Sequence, residues 1–436
     1  MDEALRRLRA STTPFGGIHV VLFTGDFFQF GPVLQKSILF PCDSWTGNLS
    51  VTALNHQHAH ELWLKFKRVV ILQEQVRAGG DPALKRLLTK LRNFQQDSSD
   101  LALINSRVLK DGKIPYDENV RVITPLNRHR WDLNTQAVMM WAKRMGRKVS
   151  IFLSTHKWTK ERPSEEEMMR VFEQGDDKDC PIPAIFVYAD GMPVIVNEKL
   201  YLGLRVVNGS VFRAAGIVPD RQHQPVRANI VVPDAEGPGA DMVSEMSVNI
   251  YFGPPSAILL ESKSTANLSF PGIPPGTVMV CRKKATMVPT RRNRLRMRCQ
   301  RQGLPCAPGF VMTDFKAQSK TMAKAVLGLY GYRLLPSGEP SACEYTTAYV
   351  QLSRCTSFEG MRLLREVRPV DFLNLRLDEK KLAASPVLSA NNYRVAFYSN
   401  RFKHGCGLMA LGAATYAIPL DGRLEANAED QCGENQ

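Results

Sequence analysis

A string with the residue types of a phosphate-sensing loop lies near the amino-terminus, at P-F-G-G-I-H-V-V-L-F-T-G-D-F-F-Q-F-G-P-V, residues 14–33. The apolar, β-branched run Ile18–Thr24 predicts a buried parallel strand that ends at Gly25 and Asp26, with Gln29 in the following loop. Ligands of open α/β sheets bind at the carboxyl ends of strands, and an amide there can hydrogen-bond a phosphate or a water without adding charge. The string also fits an ordinary strand and turn in which Asp26 caps a helix, and physical chemistry alone favours that simpler interpretation.

The elements around this string alternate between strands and helices. Residues 81–94 place four leucines at helical spacing behind Pro82, which suits a first helical turn. Val120–Thr124 predicts a short strand and Asp132–Met145 a helix. This alternation predicts an α/β layer architecture.

A different pattern occupies the middle of the chain, from about residue 149 to residue 305. Short β-like runs alternate with turns there, and Asn208-Gly209 predicts a hairpin. We therefore expect an antiparallel β-rich insertion, with Ser164–Asp179 as an acidic surface excursion. The α/β alternation resumes near residue 310 and ends near residue 375, and the polar stretch Glu425–Gln436 is expected to fray.

The composition bounds the class of protein. The chain has 436 residues, 44% of them apolar, which is enough for two or three domains with cores. No apolar run is long enough to span a membrane, and Met1–Ala10 lacks the apolar core of a signal peptide, so we expect a soluble intracellular protein. The nine cysteines form no close pairs and are expected to be reduced, and the triplet His56, His58 and His60 is interpreted as a polar loop without metal.

The charge balance favours a polyanionic partner. Lys and Arg outnumber Asp and Glu by 57 to 42, a formal net charge of +15. Residues 282–301 contain nine Lys or Arg and no Asp or Glu. Such excess positive charge favours nucleic acid through counterion release, although a basic solvated surface would give the same count.

The string G-D-F-F-Q-F-G-P-V resembles the third helicase motif of the PIF-type (petite integration frequency) DNA helicases, usually G-D-x-x-Q-x-x-P-V. The resemblance implies that Gln29 senses the ATP γ-phosphate, with Gly25 and Asp26 supporting it. Gly31 stands where the family often has Pro. The string L-Q-E-Q-V-R, which ends at Arg77, resembles the segment whose Arg reaches the γ-phosphate. The fork of an Arg suits the charge of a transferring phosphoryl group, although a surface Arg at a helix start would look the same.

Three further motifs follow in the family's order. V-I-T-P-L-N resembles the strand that places Thr124 and Asn127 near the DNA backbone. T-D-F-K-A-Q-S-K-T resembles the motif T-x-x-K-x-Q-G, which contacts single-stranded DNA through residues corresponding to Thr313, Lys316 and Gln318. Y-V-Q-L-S-R resembles the last motif, in which Arg354, expected at a strand end, would be the second arginine at the γ-phosphate. Two positions depart from the family's motifs, Ser319 and Gln351. Ser319 stands where the family usually has Gly, and if that Gly has a positive φ, the Ser would strain the turn.

The family's phosphate loop, G-x-x-x-x-G-K-S/T, is absent from the 436 residues, and so is the strand-end acid that holds Mg²⁺. Asp2-Glu3 is too close to Asp26 to be that acid and is interpreted as part of a helix. The resemblance therefore implies the rear part of an ATP-dependent 5′–3′ helicase of the fungal or Helitron-type branch, truncated at the amino-terminus. ATP and Mg²⁺ belong to the parent family, and this chain alone is not expected to hydrolyse ATP.

The resemblance implies a RecA-like α/β fold in five parts. The first domain's remnant spans 1–72, the second domain spans 73–148 and 306–380, the insertion spans 149–305, and an extension follows at 381–436. Single-stranded DNA and a missing amino-terminal half are the expected partners. A nuclear location is expected, with the mitochondrion as the alternative, and the family implies DNA repair, recombination and telomere maintenance.

Two other hypotheses stay open. The chain could be a non-catalytic module that binds single strands through residues 282–301 and Lys316. It could also be a degenerate transposon remnant with no stable fold, because lost strands would leave a sheet edge and apolar surface exposed.

Overall fold

The computed structural model describes residues 1–32, 36–42, 50–66, 68–72, 74–110, 114–116, 119–159, 163–233, 243–290, 295–377, 394–398 and 414–419. The helices in these ranges are α1 (Asp2–Leu8), α2 (Val51–Leu64), α3 (Pro82–Arg92), α4 (Ser98–Asn105), α5 (Asn127–Arg144), α6 (Glu165–Glu173), α7 (Asp314–Ala317), α8 (Tyr345–Leu352) and α9 (Pro369–Phe372). The strands are β1 (Val20–Gly25), β2 (Arg68–Leu72), β3 (Arg121–Thr124), β4 (Val149–Leu153), β5 (Thr155–Trp158), β6 (Ile185–Ala189), β7 (Pro193–Val196), β8 (Val211–Val218), β9 (Val226–Pro233), β10 (Val243–Tyr251), β11 (Ala257–Glu261), β12 (Thr277–Cys281), β13 (Lys283–Met287), β14 (Cys299–Gly303), β15 (Cys306–Pro308), β16 (Val311–Thr313), β17 (Ala325–Leu327), β18 (Met361–Leu363), β19 (Arg394–Tyr398) and β20 (Ala414–Pro419).

The chain divides into two compact units. Unit 1 consists of Met1–Asp97, Glu344–Phe358 and Leu373–Gln436, and unit 2 of Ser98–Cys343 and Glu359–Phe372. The chain thus leaves unit 1 and returns to it, so that α8 belongs with the amino-terminal segment that carries β1 and α3.

Unit 1 contains a sheet in the order β1-β20-β2-β19. β20 is antiparallel to both β1 and β2, and β19 is parallel to β2. The strand predicted at Ile18–Thr24 is present as β1, but the prediction that it is buried and parallel was wrong, because its partner β20 is antiparallel and no residue of β1 is buried. Phe15, Trp63 and Phe66 are buried beside this sheet. Phe23 of β1 packs edge-on against Phe66 with their ring centroids 4.9 Å apart, an arrangement that aromatic quadrupoles favour.

Helix α3 confirms the prediction for residues 81–94. Asp81 caps it by accepting a hydrogen bond of 2.9 Å from the backbone N–H of Leu84, and Pro82 occupies the first turn. The spaced leucines form the buried face because residues three and four apart share one side of a helix: Leu84, Leu87, Leu88 and Leu91.

The core of unit 2 is a parallel sheet in the order β16-β3-β17-β18. β3 and β16 are in register, with Thr124 opposite Thr313, so two of the predicted DNA-contacting residues lie at the same sheet edge. Helix α5 follows β3 and begins at Asn127 rather than at Asp132. The early turn was missed because it buries Arg130, a polar residue that masks the apolar period.

Residues 149–308 of unit 2 form three further sheets, in the orders β6-β4-β10-β9, β12-β11-β8-β7-β15 and β13-β14-β5. The pairing is antiparallel except between β4 and β10, so the predicted β-rich, mainly antiparallel segment is confirmed. Asn208 and Gly209 are the central residues of a turn closed by a 3.0 Å hydrogen bond from Ser210 N to Val207 O. This turn lies within the longer connection between β7 and β8, however, and does not join them directly.

Two local predictions were wrong. The histidine triplet lies in α2 and not in a loop, with His60 Nδ1 2.8 Å from the carbonyl oxygen of Ile38. The acidic segment 164–179 is only partly on the surface, because it contains α6 and buries Glu167 and Asp176, each 3% exposed. In both cases hydrogen bonds to the polar side chains compensate for their burial, which composition alone does not reveal. The stretch Glu425–Gln436 lies outside the described residues.

No helix within the described part of the chain is long and apolar enough to cross a membrane. Seven of the cysteines lie among the described residues, and all seven are free thiols.

Candidate nucleotide and nucleic-acid sites

Asp26 follows β1 directly and is the centre of a hydrogen-bond cluster in unit 1. Its carboxylate accepts the backbone N–H of Phe28 at 3.1 Å and the side-chain amide of Gln29 at 3.3 Å. The side chain is 5% exposed. Asp26 therefore fixes the loop that carries Gln29 and holds the Gln29 amide in one orientation.

Arg92, in the last turn of α3, forms the ion pair that compensates for the buried Asp26 charge. Its Nη1 lies 3.1 Å from Asp26 Oδ2 and donates to Tyr349 Oη at 2.6 Å. The guanidinium also lies 4.3 Å from the ring centroid of Phe28, within cation–π range. Burial disfavours the charged form, but Tyr349 and Asp26 outweigh it and raise the pKa of Arg92.

Arg77 and Arg354 meet at Ser353. Arg77 Nη1 donates to the carbonyl oxygen of Ser353 at 2.6 Å, and Arg354 Nη2 donates to its hydroxyl at 2.7 Å. Arg354 is 2% exposed. Burial and then the neighbouring Arg77 charge lower the pKa of Arg354 to about 10, and burial lowers the pKa of Arg77. The two like charges lie close together in a poorly solvated environment, so binding of an anion beside them would be favourable.

Arg354 does not lie at a strand end, as the sequence had suggested. It follows the carboxyl end of α8, and its Nε donates to the carbonyl oxygen of Val350 at 2.9 Å. The mistake arose because the apolar residues of Y-V-Q-L-S-R suit a strand, whereas every residue of α8 is buried. Gln351, which departs from the family motif, is fully buried.

Asp26 and Asp2 of unit 1 do not fit a magnesium site. The Asp26 carboxylate is occupied by Arg92, Gln29 and the backbone, and Asp2 Oδ1 accepts the N–H of Phe15 at 2.5 Å. Among the described residues, no three or more His, Cys, Asp or Glu side chains are grouped to hold a metal ion.

Lys316 in unit 2 lies in a network of charged and amide groups. Its Nζ donates to Asn197 Oδ1 at 2.8 Å and to Asp176 Oδ2 at 3.3 Å. Arg130 Nη1 lies 2.9 Å from the other carboxylate oxygen of Asp176, and Arg130 Nε donates to Asn127 Oδ1 at 3.2 Å. The network thus has two cations and one carboxylate, and the Lys316 side chain is 20% exposed.

The network shifts the pKa of two of its members. Burial lowers the pKa of Lys316, although Asp176 acts in the opposite direction. Burial would raise the pKa of Asp176, but Arg130 and Lys316 outweigh it and lower it.

Thr124 and Thr313 have internal partners. Thr124 is fully buried, and its hydroxyl lies 2.7 Å from Tyr330 Oη, which is in turn 3.0 Å from His129 Nδ1. Thr313 caps α7 by accepting the N–H of Lys316 at 3.4 Å. In this conformation Thr124 presents no surface to a DNA backbone, whereas Asn127 and Gln318 are half-buried.

Ser319, which stands where the family has Gly, has a φ of 68° and is exposed. This is the left-handed conformation that glycine adopts without a steric cost. The strain expected from the sequence is therefore present. Gly25 shows no such requirement, because a Cβ built there would meet no atom within 4 Å.

The basic segment 282–301 is not a uniform surface. Arg282 pairs with Asp220, and Lys283 lies 2.8 Å from Glu198. Arg301 is fully buried and donates to the carbonyl oxygens of Val171, Gln174 and Ile182. Residues 291–294 lie outside the described ranges. Part of the charge run therefore stabilises the fold of unit 2.

Sequence reasoning missed three residues that organise these sites: Arg92, Asp176 and Tyr330. Arg92 and its partner Tyr349 are far apart in the chain, and Asp176 lies in a stretch whose acidity suggested solvent. Only the motif string that begins at Tyr349 carried a signal for the first cluster.

No protein-family model and no curated protein matches the chain. Solved structures do match it. The chain resembles a Pif1 helicase from a study of unwinding at forked double-stranded DNA by two coordinating Pif1 helicases, with 15% identity, 89% of this chain and 70% of that chain covered, and a TM-score of 0.50. Bacteroides Pif1 bound to single-stranded DNA matches with 16% identity, coverage of 90% and 72%, and a TM-score of 0.48. Candida albicans Pif1 matches with 18% identity, coverage of 89% of this chain and 72% of that chain, and a TM-score of 0.41. The family resemblance drawn from the motifs is thus confirmed for the fold, and the chain has the mixed α/β, RecA-like architecture of the Pif1 helicases.

Proposed function

We propose that the chain is the rear part of an ATP-dependent DNA helicase that couples ATP hydrolysis to 5′–3′ unwinding. The observation that carries this proposal is the meeting of Arg77 and Arg354 at Ser353. Arg354 forms no ion pair with any described residue, although the Asp26 carboxylate acts on its charge from a distance. A desolvated guanidinium that is not paired with a carboxylate suits an incoming phosphoryl group. The fixed amide of Gln29 suits a sensor in the same unit.

Arg77, Arg354 and Gln29 would contact only the γ-phosphate of ATP. The phosphate cradle needs a G-x-x-x-x-G-K-S/T string, which residues 1–436 do not contain. We therefore propose that these residues alone do not hydrolyse ATP and that Mg²⁺ is not held by Asp26. Val20 and Leu22 of β1 are 59% and 48% exposed, so large apolar side chains of this strand lie uncovered. This supports a partner segment that carries the phosphate loop and packs against β1.

We propose that single-stranded DNA binds unit 2 at the carboxyl ends of β3 and β16. Asn127, Lys316 and Gln318 are partly accessible and suit contacts to phosphate. Thr124 and Thr313 would position them from inside, through Tyr330 and through the cap of α7.

The test begins with the coding sequence upstream of the Met1 codon. We expect an in-frame G-x-x-x-x-G-K-S/T string there, and the longer product should show ATP hydrolysis stimulated by single-stranded DNA. Arg77→Ala should abolish that turnover, whereas Arg86→Ala, which changes an exposed Arg on α3, should leave it unchanged. Equal turnover in both variants would contradict the assigned role of Arg77.

A non-catalytic single-strand-binding module is the second candidate, and the net charge of +15 supports it. Both functions predict binding that weakens with salt because neutralised phosphates release counterions. Only the helicase predicts nucleotide turnover in the longer product. The transposon-remnant hypothesis predicts instead that the isolated chain lacks a cooperative melting transition.

A nuclear location, with roles in repair, recombination or telomere maintenance, follows from DNA as the partner and remains part of this proposal. Imaging of a tagged full-length protein tests the location. Exclusive mitochondrial signal would favour the alternative.

A further inference from the structure

Unit 2 contains a cavity that is lined by none of the residues assigned above to the nucleotide site or to DNA contacts. It has a volume of about 340 Å³ and lies against the segment before β3 and the strands β7, β8 and β11. That volume is within the range of small-molecule sites. Arg121, on the cavity wall, is the first residue of β3, whereas Thr124 is the last, so the cavity and the proposed DNA edge lie at opposite ends of the strand, about 10 Å apart.

Aromatic side chains form much of the wall: Tyr116, Trp141, Phe212 and Phe310. Phe310 holds two of them, with its ring centroid 5.7 Å from that of Tyr116 and 5.8 Å from that of Trp141. Gly191 turns beside Trp141 with a φ of 88°, and a Cβ there would lie 3.5 Å from the indole. Tyr116, Phe212 and Phe310 are buried and Trp141 is half-buried, so the indole of Trp141 supplies the apolar surface on which a planar ring can stack.

The polar groups of the wall are mainly donors. Arg121 has one hydrogen-bond partner among the described residues, the adjacent carbonyl oxygen of Val120 at 3.2 Å, and no carboxylate partner. The hydroxyl of Tyr116 and the indole N–H of Trp141 also lack a hydrogen-bond partner within the described ranges. Burial lowers the pKa of Arg121. A desolvated cation beside unused donors favours a ligand rich in acceptors and carrying negative charge.

The second Arg on the wall does not supply this unmatched charge. Arg213 forms an ion pair with Glu261, which also lines the cavity. Among the described residues, Arg121 is therefore the lining cation without a carboxylate partner, and the described side chains of the wall carry a net charge of +1.

We propose that this cavity binds a nucleotide, with the base against Trp141 and the phosphate on Arg121. A nucleotide has a planar ring that can stack on the wall, and it has the acceptor atoms and the negative charge that complement the donors of the wall. The ligand is either a free nucleoside monophosphate or one unit of a single strand, since both present the same groups. This proposal does not depend on ATP hydrolysis or on the motif residues.

The test measures binding to the full 436-residue chain by calorimetry with three probes: thymidine monophosphate, ribose 5-phosphate and a short oligothymidylate. We expect the monophosphate to bind, Arg121→Met to weaken it at least tenfold, and Trp141→Leu to weaken it as well. Arg221→Met is the matched control, because Arg221 is an exposed Arg of unit 2, and it should bind like the wild type. Arg121→Met breaks no ion pair with a described residue, so it should melt at the wild-type temperature.

The probes separate the two sources. If Arg121→Met weakens binding of the monophosphate, the natural ligand is a free nucleotide. If Arg121→Met weakens binding of the oligothymidylate but not of the monophosphate, the natural ligand is a single strand. Ribose 5-phosphate binding as tightly as the monophosphate would overturn the proposal, because the aromatic wall would then contribute nothing. Arg121→Met leaving the affinity for every probe unchanged would overturn it as well. Gln318→Ala, at the proposed DNA edge, should not alter monophosphate binding, so a failed DNA edge and a failed cavity give different results.

Discussion

The guanidinium of Arg92 lies 3.1 Å from the buried carboxylate of Asp26 and ties the end of α3 to the loop after β1. The same carboxylate orients the amide of Gln29 at 3.3 Å. The residue that the motifs assign as a nucleotide sensor is therefore positioned by a residue outside every motif. The Arg92–Asp26 pair thus connects the candidate sensor Gln29 to α3, the helix that follows Arg77 in the chain.

Removal of Arg92 should destabilise unit 1. Arg92→Met leaves Asp26 buried without its cation, and we expect the free energy of unfolding to fall by about 2–4 kcal/mol in urea melts. Arg7→Met breaks the exposed pair with Glu3, in which both side chains are more than two-thirds exposed, and should cost about 0.5 kcal/mol or less. Similar losses in the two variants would show that the Asp26 pair is not energetically special.

Asp176 should make unit 2 sensitive to acid. Its pKa is lowered in the folded protein, so its contribution is present above the unfolded value of about 3.9 and is lost as the pH falls through the folded value. Asp176→Asn should remove this dependence below about pH 4. The exposed Asp132→Asn should retain it, and an unchanged pH profile in Asp176→Asn would refute the assignment.

Ser319→Gly should stabilise the chain, because it relieves a left-handed backbone conformation at an exposed site. We expect a gain of about 0.5–1 kcal/mol, smaller than the full left-handed cost because Gly also loses more entropy on folding. Ser337, also exposed, does not have a positive φ, and Ser337→Gly should be neutral or destabilising. A loss of stability in Ser319→Gly would mean that the Ser side chain contributes more than its backbone strain costs.

Arg298 and Arg301 should behave differently although both belong to the basic segment. Arg301→Met removes a fully buried guanidinium together with its hydrogen bonds to three carbonyl oxygens and should destabilise unit 2 by about 3 kcal/mol or more. Arg298 is exposed, so Arg298→Met should leave the melting transition in place and lower the salt dependence of DNA binding by about one charge. The two measurements are thermal melts and binding titrations at several salt concentrations. Equal stability of the two variants would contradict the buried role of Arg301.

Local patterns predicted the elements whose side chains follow one periodicity. The leucines of α3 identify that helix because their burial repeats with helical geometry. The β-branched run locates β1, but its exposure and its antiparallel pairing with β20 were not predicted, because both depend on residues far away in the chain. The start of α5 and the burial of Asp176 could not be predicted, since both depend on Arg130 and Asp176 meeting across the fold. The Arg92–Tyr349 contact likewise joins segments that are separated by most of unit 2, and no local pattern encodes it.

The most direct test of the central claim is ATP hydrolysis by residues 1–436 alone, measured with and without single-stranded DNA. The claim is that these residues supply Arg77, Arg354 and the Gln29 sensor but no cradle for the phosphates. It predicts no DNA-stimulated turnover in the wild-type chain or in Arg354→Ala. Robust turnover that Arg354→Ala abolishes would contradict it, because these residues would then form a complete ATPase site.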